Sequence, residues 1–197
     1  MTDANFDPEN HKPFDSSYFE DLEIGQKFYI PSRTMTDALF SAFQLASGDN
    51  HPIHYDIEYC KRHGHRGLVA HGFQTLIQTA PGAGWFPFVV SDSLVGFLEQ
   101  SSRFLKPVYS GDTLYSMLEI TALEEQLSTG VVTMKSTIHN QDCELVLDGE
   151  ADVLHKEALT VSGGAIWDEV KDAVNHNDDV ILPAEKALTQ SGGIVVL

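Results

Sequence analysis

The chain has 197 residues, 42% hydrophobic and 21% charged, long enough to bury a core without a metal or disulfide staple. A formal charge of −17 sets an average field that repels nucleic acid and anionic membrane, and no run of about eighteen apolar residues could span a bilayer. Cys60 and Cys143 lie far apart, outside any metal or redox spacing, so the expected setting is the reducing cytoplasm.

Residues 1–17 are polar and acidic, without a basic start or an apolar stretch, and read as a disordered leader rather than a secretory signal. After Gly25, Lys27 to Thr34 has the pattern of a strand with Phe28 and Ile30 on one face. Thr36 then caps a helix carrying Leu39, Phe43 and Ala46, which ends at Ser47-Gly48-Asp49. Asp56 caps a short helix through Cys60 that stops near Gly64. A third helical segment opens at Gly72, carries Phe73, Leu76, Ile77 and Ala80, and is broken by Pro81-Gly82. It is nearly uncharged, which predicts burial on all sides.

From Leu94 the period changes to two. Strands are expected over Leu94 to Leu105, from the turn 107–112 to about Glu124, over Val131 to Asn140, and from Cys143 to Val153, as an antiparallel meander with one wet face. One buried apolar helix and a long antiparallel sheet imply an α+β domain, 18–156, in which the sheet curls round the helix. Residues 157–197 form an extension with a weak stripe of Ile166, Val170 and Val174; it either packs on the domain or a partner subunit or is a disordered tail.

The densest chemical feature is the run from Ser47 to Asp56. Asp49 and His54 are held five residues apart by Pro52 in a loop entered through Gly48. A carboxylate and an imidazole converging on one water can hydrate a double bond, one group taking a proton while the other holds or relays one. The plainer reading is a turn-capping aspartate and a loop histidine. The second feature is Ala70-His71-Gly72 at the start of the apolar helix. Gly72 allows a thioester oxygen to approach the first, unpaired N–H groups of a helix, or serves only close packing.

Together these runs resemble the MaoC-like dehydratases, whose best-known members are the (R)-specific enoyl-CoA hydratases. The residues that carry the resemblance are Ser47, Gly48, Asp49, Pro52, His54 and Asp56, then Ala70, His71 and Gly72. Arg103 to Val108 with Gly111 to Leu114, and the opening Phe19 to Gly25, are similar to the family's other signatures. The resemblance covers about 18–156 and implies a hotdog fold, an acid–base pair at Asp49 and His54, and an oxyanion donor at the Gly72 N–H. The implied reaction is syn addition of water to a trans-2-enoyl thioester, or its reverse. One residue departs from the pattern: the family has asparagine before the proline, where this chain has His51.

Lys61, Arg62 and Arg66 fall within six residues between the two runs and suit the phosphates of CoA, or form an ordinary solvated loop. Arg103 and Lys106 are a second candidate contact. His51, His54, His63, His65 and His71 crowd together, but without a partner cysteine near Cys60 a metal is not expected, nor any cofactor beyond the CoA of the substrate. Trp85, Phe86, Phe88 and Phe97 either line an acyl tunnel or pack the core. A hotdog thioesterase is disfavoured because the segment from Gly72 to Ala80 holds no carboxylate. A non-catalytic acyl-CoA binder stays open. Assembly as a homodimer or higher homo-oligomer is expected, since an open sheet edge needs covering.

Overall fold

The structure, a computed structural model, describes residues 6–126 and 129–156, so the extension 157–197 lies outside the described residues. In chain order it contains β1 (Lys27–Thr34), α1 (Asp37–Ser47), α2 (Ile57–Arg62), α3 (Gly72–Leu76), α4 (Phe86–Val89), β2 (Leu94–Phe104), β3 (Thr113–Glu125), β4 (Thr129–His139) and β5 (Leu145–Lys156). The five strands form one antiparallel sheet in the order β1-β3-β4-β5-β2. This is the hotdog fold. Among the described residues no helix is long and apolar enough to cross a membrane.

The sheet departs from a simple meander. Only β3, β4 and β5 follow one another; β2 pairs with β5, Phe104 opposite Leu147, and the chain then crosses to β3. Alternating residues mark a strand's two faces but do not name its neighbour. The crossing segment spends its backbone on the loop before α3: Ala70 N–H donates to Val108 O at 2.8 Å and Ser110 N–H to Leu68 O at 3.0 Å. Residues 68–70 are thereby fixed against the crossover.

The core divides into two clusters along the sheet. One gathers Phe28, Ile30, Phe86, Leu118, Ile120, Met134 and Val153; the other gathers Met35, Phe40, Val108, Leu114, Ile138 and Leu147. Phe40 roots α1 in the second cluster. Phe86, on the short α4, is fully buried and therefore a packing residue, whereas Trp85 and Phe88 are exposed. Residues 6–17 make contacts of their own: Ser17 N–H donates to Val89 O at 2.6 Å, and Phe14 meets Trp85 edge-on.

The apolar helix is not buried all round. After Leu76 it tightens into a 3-10 turn, Ile77–Thr79, which rests on β3 and β4. Phe73 is 72% exposed and Ile77 51%, while His71, Gln74, Thr75, Gln78 and Thr79 face inward. These inward positions follow helical spacing from His71. His71 is buried toward the loop of Asp49, and that sets the rotation of the whole segment. Hydrophobicity alone mispredicts such a helix, because its anchor is polar.

His155 is a buried histidine with a fixed cost. It lies fully inside, edge-on to Phe86, with Nδ1 3.4 Å from Ser93 Oγ and no partner for Nε2. Burial pushes its pKa down to about 4. The unfolded chain therefore binds this proton first, near the ordinary value of 6.5, and stability falls as pH drops from there toward 4. The loss should reach roughly 3 kcal/mol, levelling off below the folded value. Urea unfolding of wild type and His155→Leu at several pH values checks this: the wild type should lose that much more stability in acid than the variant.

Candidate active site

The site begins with the way α1 ends. Gly48 closes the helix at φ +68°, a left-handed conformation suited to glycine, with its N–H on Gln44 O. Short-range bonds then hold the loop: Asp49 N–H to Ser47 Oγ at 3.2 Å, Asn50 Nδ2 to Gly48 O at 3.1 Å, and Gln44 Nε2 to Asn50 Oδ1 at 2.9 Å. The Asp49 carboxylate accepts the His51 N–H at 3.2 Å through Oδ1, which leaves Oδ2 directed to His54. Pro52 opens the 3-10 turn Pro52–His54.

His54 is held from the opposite side. Its Nδ1 lies 2.7 Å from Val69 O, and Val69 N–H donates to Ile53 O at 3.0 Å. A carbonyl only accepts, so Nδ1 carries the proton and Nε2 presents a lone pair. That lone pair sits 3.8 Å from Asp49 Oδ2, with the aspartate half-exposed and the histidine largely covered. Burial is the main reason that the His54 pKa lies below the ordinary value; the Val69 bond and Asp49 oppose this, and His71 and His51 add to it. The neutral base is the resting form.

His71 completes the cluster. Its ring stacks on His54, centroids 3.6 Å apart and planes 20° from parallel, and touches Phe43 at 5.0 Å. Its Nε2–H donates to the Asp49 carbonyl at 3.1 Å, and its other nitrogen faces the Gln74 side chain at 3.3 Å. The sequence placed His71 in a motif without giving it a task; its buried position on the loop is visible only in three dimensions. Asp49, His54 and His71 offer one possible metal-ligating atom each, all within 4.8 Å of one another. The rings lie face to face, however, so their lone pairs lie in two stacked planes. The His71 Nε2 is also spent on Asp49 O. The arrangement suits proton handling better than metal binding.

Gly72 follows at the first turn of α3, where helix geometry leaves its N–H without an intrahelical acceptor. A cavity of about 450 Å³ joins it to Asp49 and His71, bounded by Phe43, Ser47, Phe73 and Phe104. A second, of about 260 Å³, reaches Gly72 from the side of Thr75 and Lys106. The Phe104 ring stands between them, and a β-carbon on Gly72 would meet it at 3.3 Å. Sequence reading missed Phe43 and Phe104 because nothing in a strand or helix pattern shows which aromatic borders a cavity.

The candidate phosphate-binding cations divide by partner. Arg66 is 2.5 Å from the buried Asp112 carboxylate and lies over the Tyr109 ring at 4.2 Å. Burial alone would raise the Asp112 pKa, but Arg66, the Tyr109 N–H and Gln141 together hold it below its ordinary value. Arg66 therefore clasps the loop to the start of β3. Lys61 pairs with Glu58 at 2.7 Å, Arg103 with Asp148 at 2.6 Å and Lys106 with Glu144 at 2.5 Å, all at the surface. Arg103 also borders an open groove of about 550 Å³ over β2 and β5, away from the histidines.

The family model of the MaoC like domain matches residues 20–141. The chain belongs to this MaoC-like family. It is 30% identical over 139 residues to the (R)-specific enoyl-CoA hydratase of Aeromonas caviae, covering 67% of this chain and 94% of that one. The solved structure of a monoamine oxidase regulatory protein from Archaeoglobus superposes with a TM-score of 0.70 at 28% identity, covering 75% of this chain and 99% of that one. A different match is short: 49 residues, 25% of the chain, are 80% identical to L-arabinonate dehydratase of Rhizobium leguminosarum, and they span 8% of that enzyme. Within the MaoC-like match lie Asp49, His54, His71 and Gly72.

Proposed function

We propose that this MaoC-like protein is a hydro-lyase that adds water to, or removes it from, an enoyl thioester carried on CoA. The observation that carries the reading is the pair of acceptors, Asp49 Oδ2 and His54 Nε2, 3.8 Å apart, with Asp49 bordering the cavity that reaches Gly72. Two acceptors at that spacing can take the two hydrogens of one water, leaving its oxygen lone pairs toward the cavity. The enoyl thioester lies with its carbonyl oxygen at the Gly72 N–H, which stabilises the enolate as it forms. His54 removes one proton as the water oxygen bonds to C3, and Asp49 steadies the imidazolium. The same proton then goes to C2 on the same face, which gives syn addition and restores the neutral base. The relative from Aeromonas, named for this reaction, supports the assignment.

Hydrolysis is the weaker reading. The helix Gly72–Leu76 reads Gly-Phe-Gln-Thr-Leu, with no carboxylate to serve as base or nucleophile beside the carbonyl. The assay that separates the readings follows loss of the conjugated-thioester absorbance against release of free thiol. Asp49→Asn and His54→Ala should each lower hydration by about two or more orders of magnitude. Either variant turning over at the wild-type rate, while folded, would exclude the pair.

CoA's phosphates fall to Lys61 and Arg62 on the last turn of α2, because Lys61 pairs with an exposed carboxylate, Glu58, whereas Arg66 is bonded to the buried Asp112. Reversing both to glutamate should raise KM for CoA substrates and leave kcat nearly unchanged, since this binding is shared by ground and transition states. A pantetheine thioester without the nucleotide should not respond; equal responses would move the phosphates to Arg103 and Lys106. A second copy of the chain is the expected partner, because β2 is an edge strand that ends on the exposed Phe104, with the exposed Phe73 bordering the same cavity. Light scattering should report a dimer or larger at micromolar concentration, and a monomer would refute it.

A further inference from the structure

His51 is the position at which the catalytic loop departs from its family pattern, and the structure gives its side chain a task. It stands at the N-cap of the turn Pro52–His54, with φ −65° and ψ 131°, and its Nδ1 accepts the Ile53 N–H at 3.3 Å. A ring nitrogen accepts only through an unprotonated lone pair, so this bond requires the neutral imidazole with its proton on Nε2. An asparagine could make the same bond through an amide oxygen, which has no proton to gain in this pH range. His51 differs in being able to lose its cap.

The cap acts on both halves of the pair. The turn it closes carries His54, and the His51 main-chain N–H is the donor to Asp49 Oδ1 at 3.2 Å. The titratable groups that face the ring are Asp49 from the loop, His54 from the turn at 6.3 Å between centroids, and Tyr59 from α2, edge-on at 5.6 Å. The ring itself is exposed, so solvent protons reach it directly.

We propose that His51 is a positioning residue that holds Asp49 and His54 in register only while its imidazole is neutral, so that acid uncaps the turn and disables the pair. The inference rests on the hydratase reading and makes a distinct demand on it: two protonations, at His51 and at His54, shape the acid limb of turnover. In the asparagine variant one of them is gone.

Turnover of a trans-2-enoyl-CoA followed from about pH 5 to pH 8 in wild type, His51→Ala and His51→Asn tests this, because histidine titrates within that range. His51→Ala should lose about five- to tenfold in kcat at the top of the range, the usual scale for a lost cap, with KM little changed. His51→Asn should recover kcat and show a shallower acid limb. An alanine variant equal to wild type, or an asparagine variant whose acid limb matches the wild-type curve, overturns the proposal. Nitrogen-15 imidazole NMR above neutral pH decides the cap without turnover. His51 should be the Nε2–H tautomer and His54 the Nδ1–H tautomer, with the His54 signals disturbed in His51→Ala and restored in His51→Asn. A His51 proton on Nδ1 overturns the cap. A wild type with the expected tautomers that hydrates no enoyl thioester overturns the hydratase reading instead.

Discussion

The bond from His54 Nδ1 to the carbonyl of Val69 governs the chemistry of the whole site. It fixes which ring nitrogen is basic, aims that nitrogen at Asp49, and ties the loop after α1 to the segment before α3. It works only because Val69 is itself immobilised. The neighbours Leu68 and Ala70 are bonded to the crossover before β3, and Arg66 clasps the same region to Asp112. The strand order therefore has a local consequence: the crossover that separates β2 from β3 supplies the rigid rail on which His54 is hung.

A second constraint follows from His71. Its burial against Asp49 and His54 turns the polar side of the short helix toward the sheet, above a stretch of β3 and β4 that contains Ser116 and Ser136. Among the described residues, Gln74 Nε2 and Ser136 Oγ have no protein hydrogen-bond partner. The two apolar clusters on either side supply the stability that this seam does not. The outward apolar face, with Phe73 and Ile77, is the other half of the same choice.

Much of this was legible in the sequence, for identifiable reasons. Thr36 caps α1 through Leu39 N–H and Asp56 caps α2 through Glu58 and Tyr59 N–H, as their side-chain chemistry predicts. Phe28, Ile30, Val132, Met134 and Ile138 alternate into the core as a period of two demands. Asp49, His54 and Gly72 were found together because loop, proline and helix start leave a dense local mark. Properties set by distant residues were not legible. The pairing of β2 with β5, the inward polarity at Gln74 and Gln78, and the capture of Arg66 by Asp112 all depend on partners dozens of positions away. A basic residue in a basic run does not show in the sequence that a buried carboxylate will hold it.

The strand order also dictates when in the life of the chain the site can exist. Asp49, His54 and Gly72 are made early, but Phe104, which borders the cavity of Asp49 and Gly72, belongs to a strand that among the described residues pairs with β5 alone. The edge strand must wait, unpaired, while β3 and β4 are synthesised, because it cannot dock on a neighbour that has not yet emerged. A ribosome-bound fragment ending before Leu145 thus contains Asp49, His54 and Gly72, yet has no settled wall to the cavity that Asp49 and Gly72 border. Chemistry encoded in the first half of the domain is completed by the last strand of its sheet.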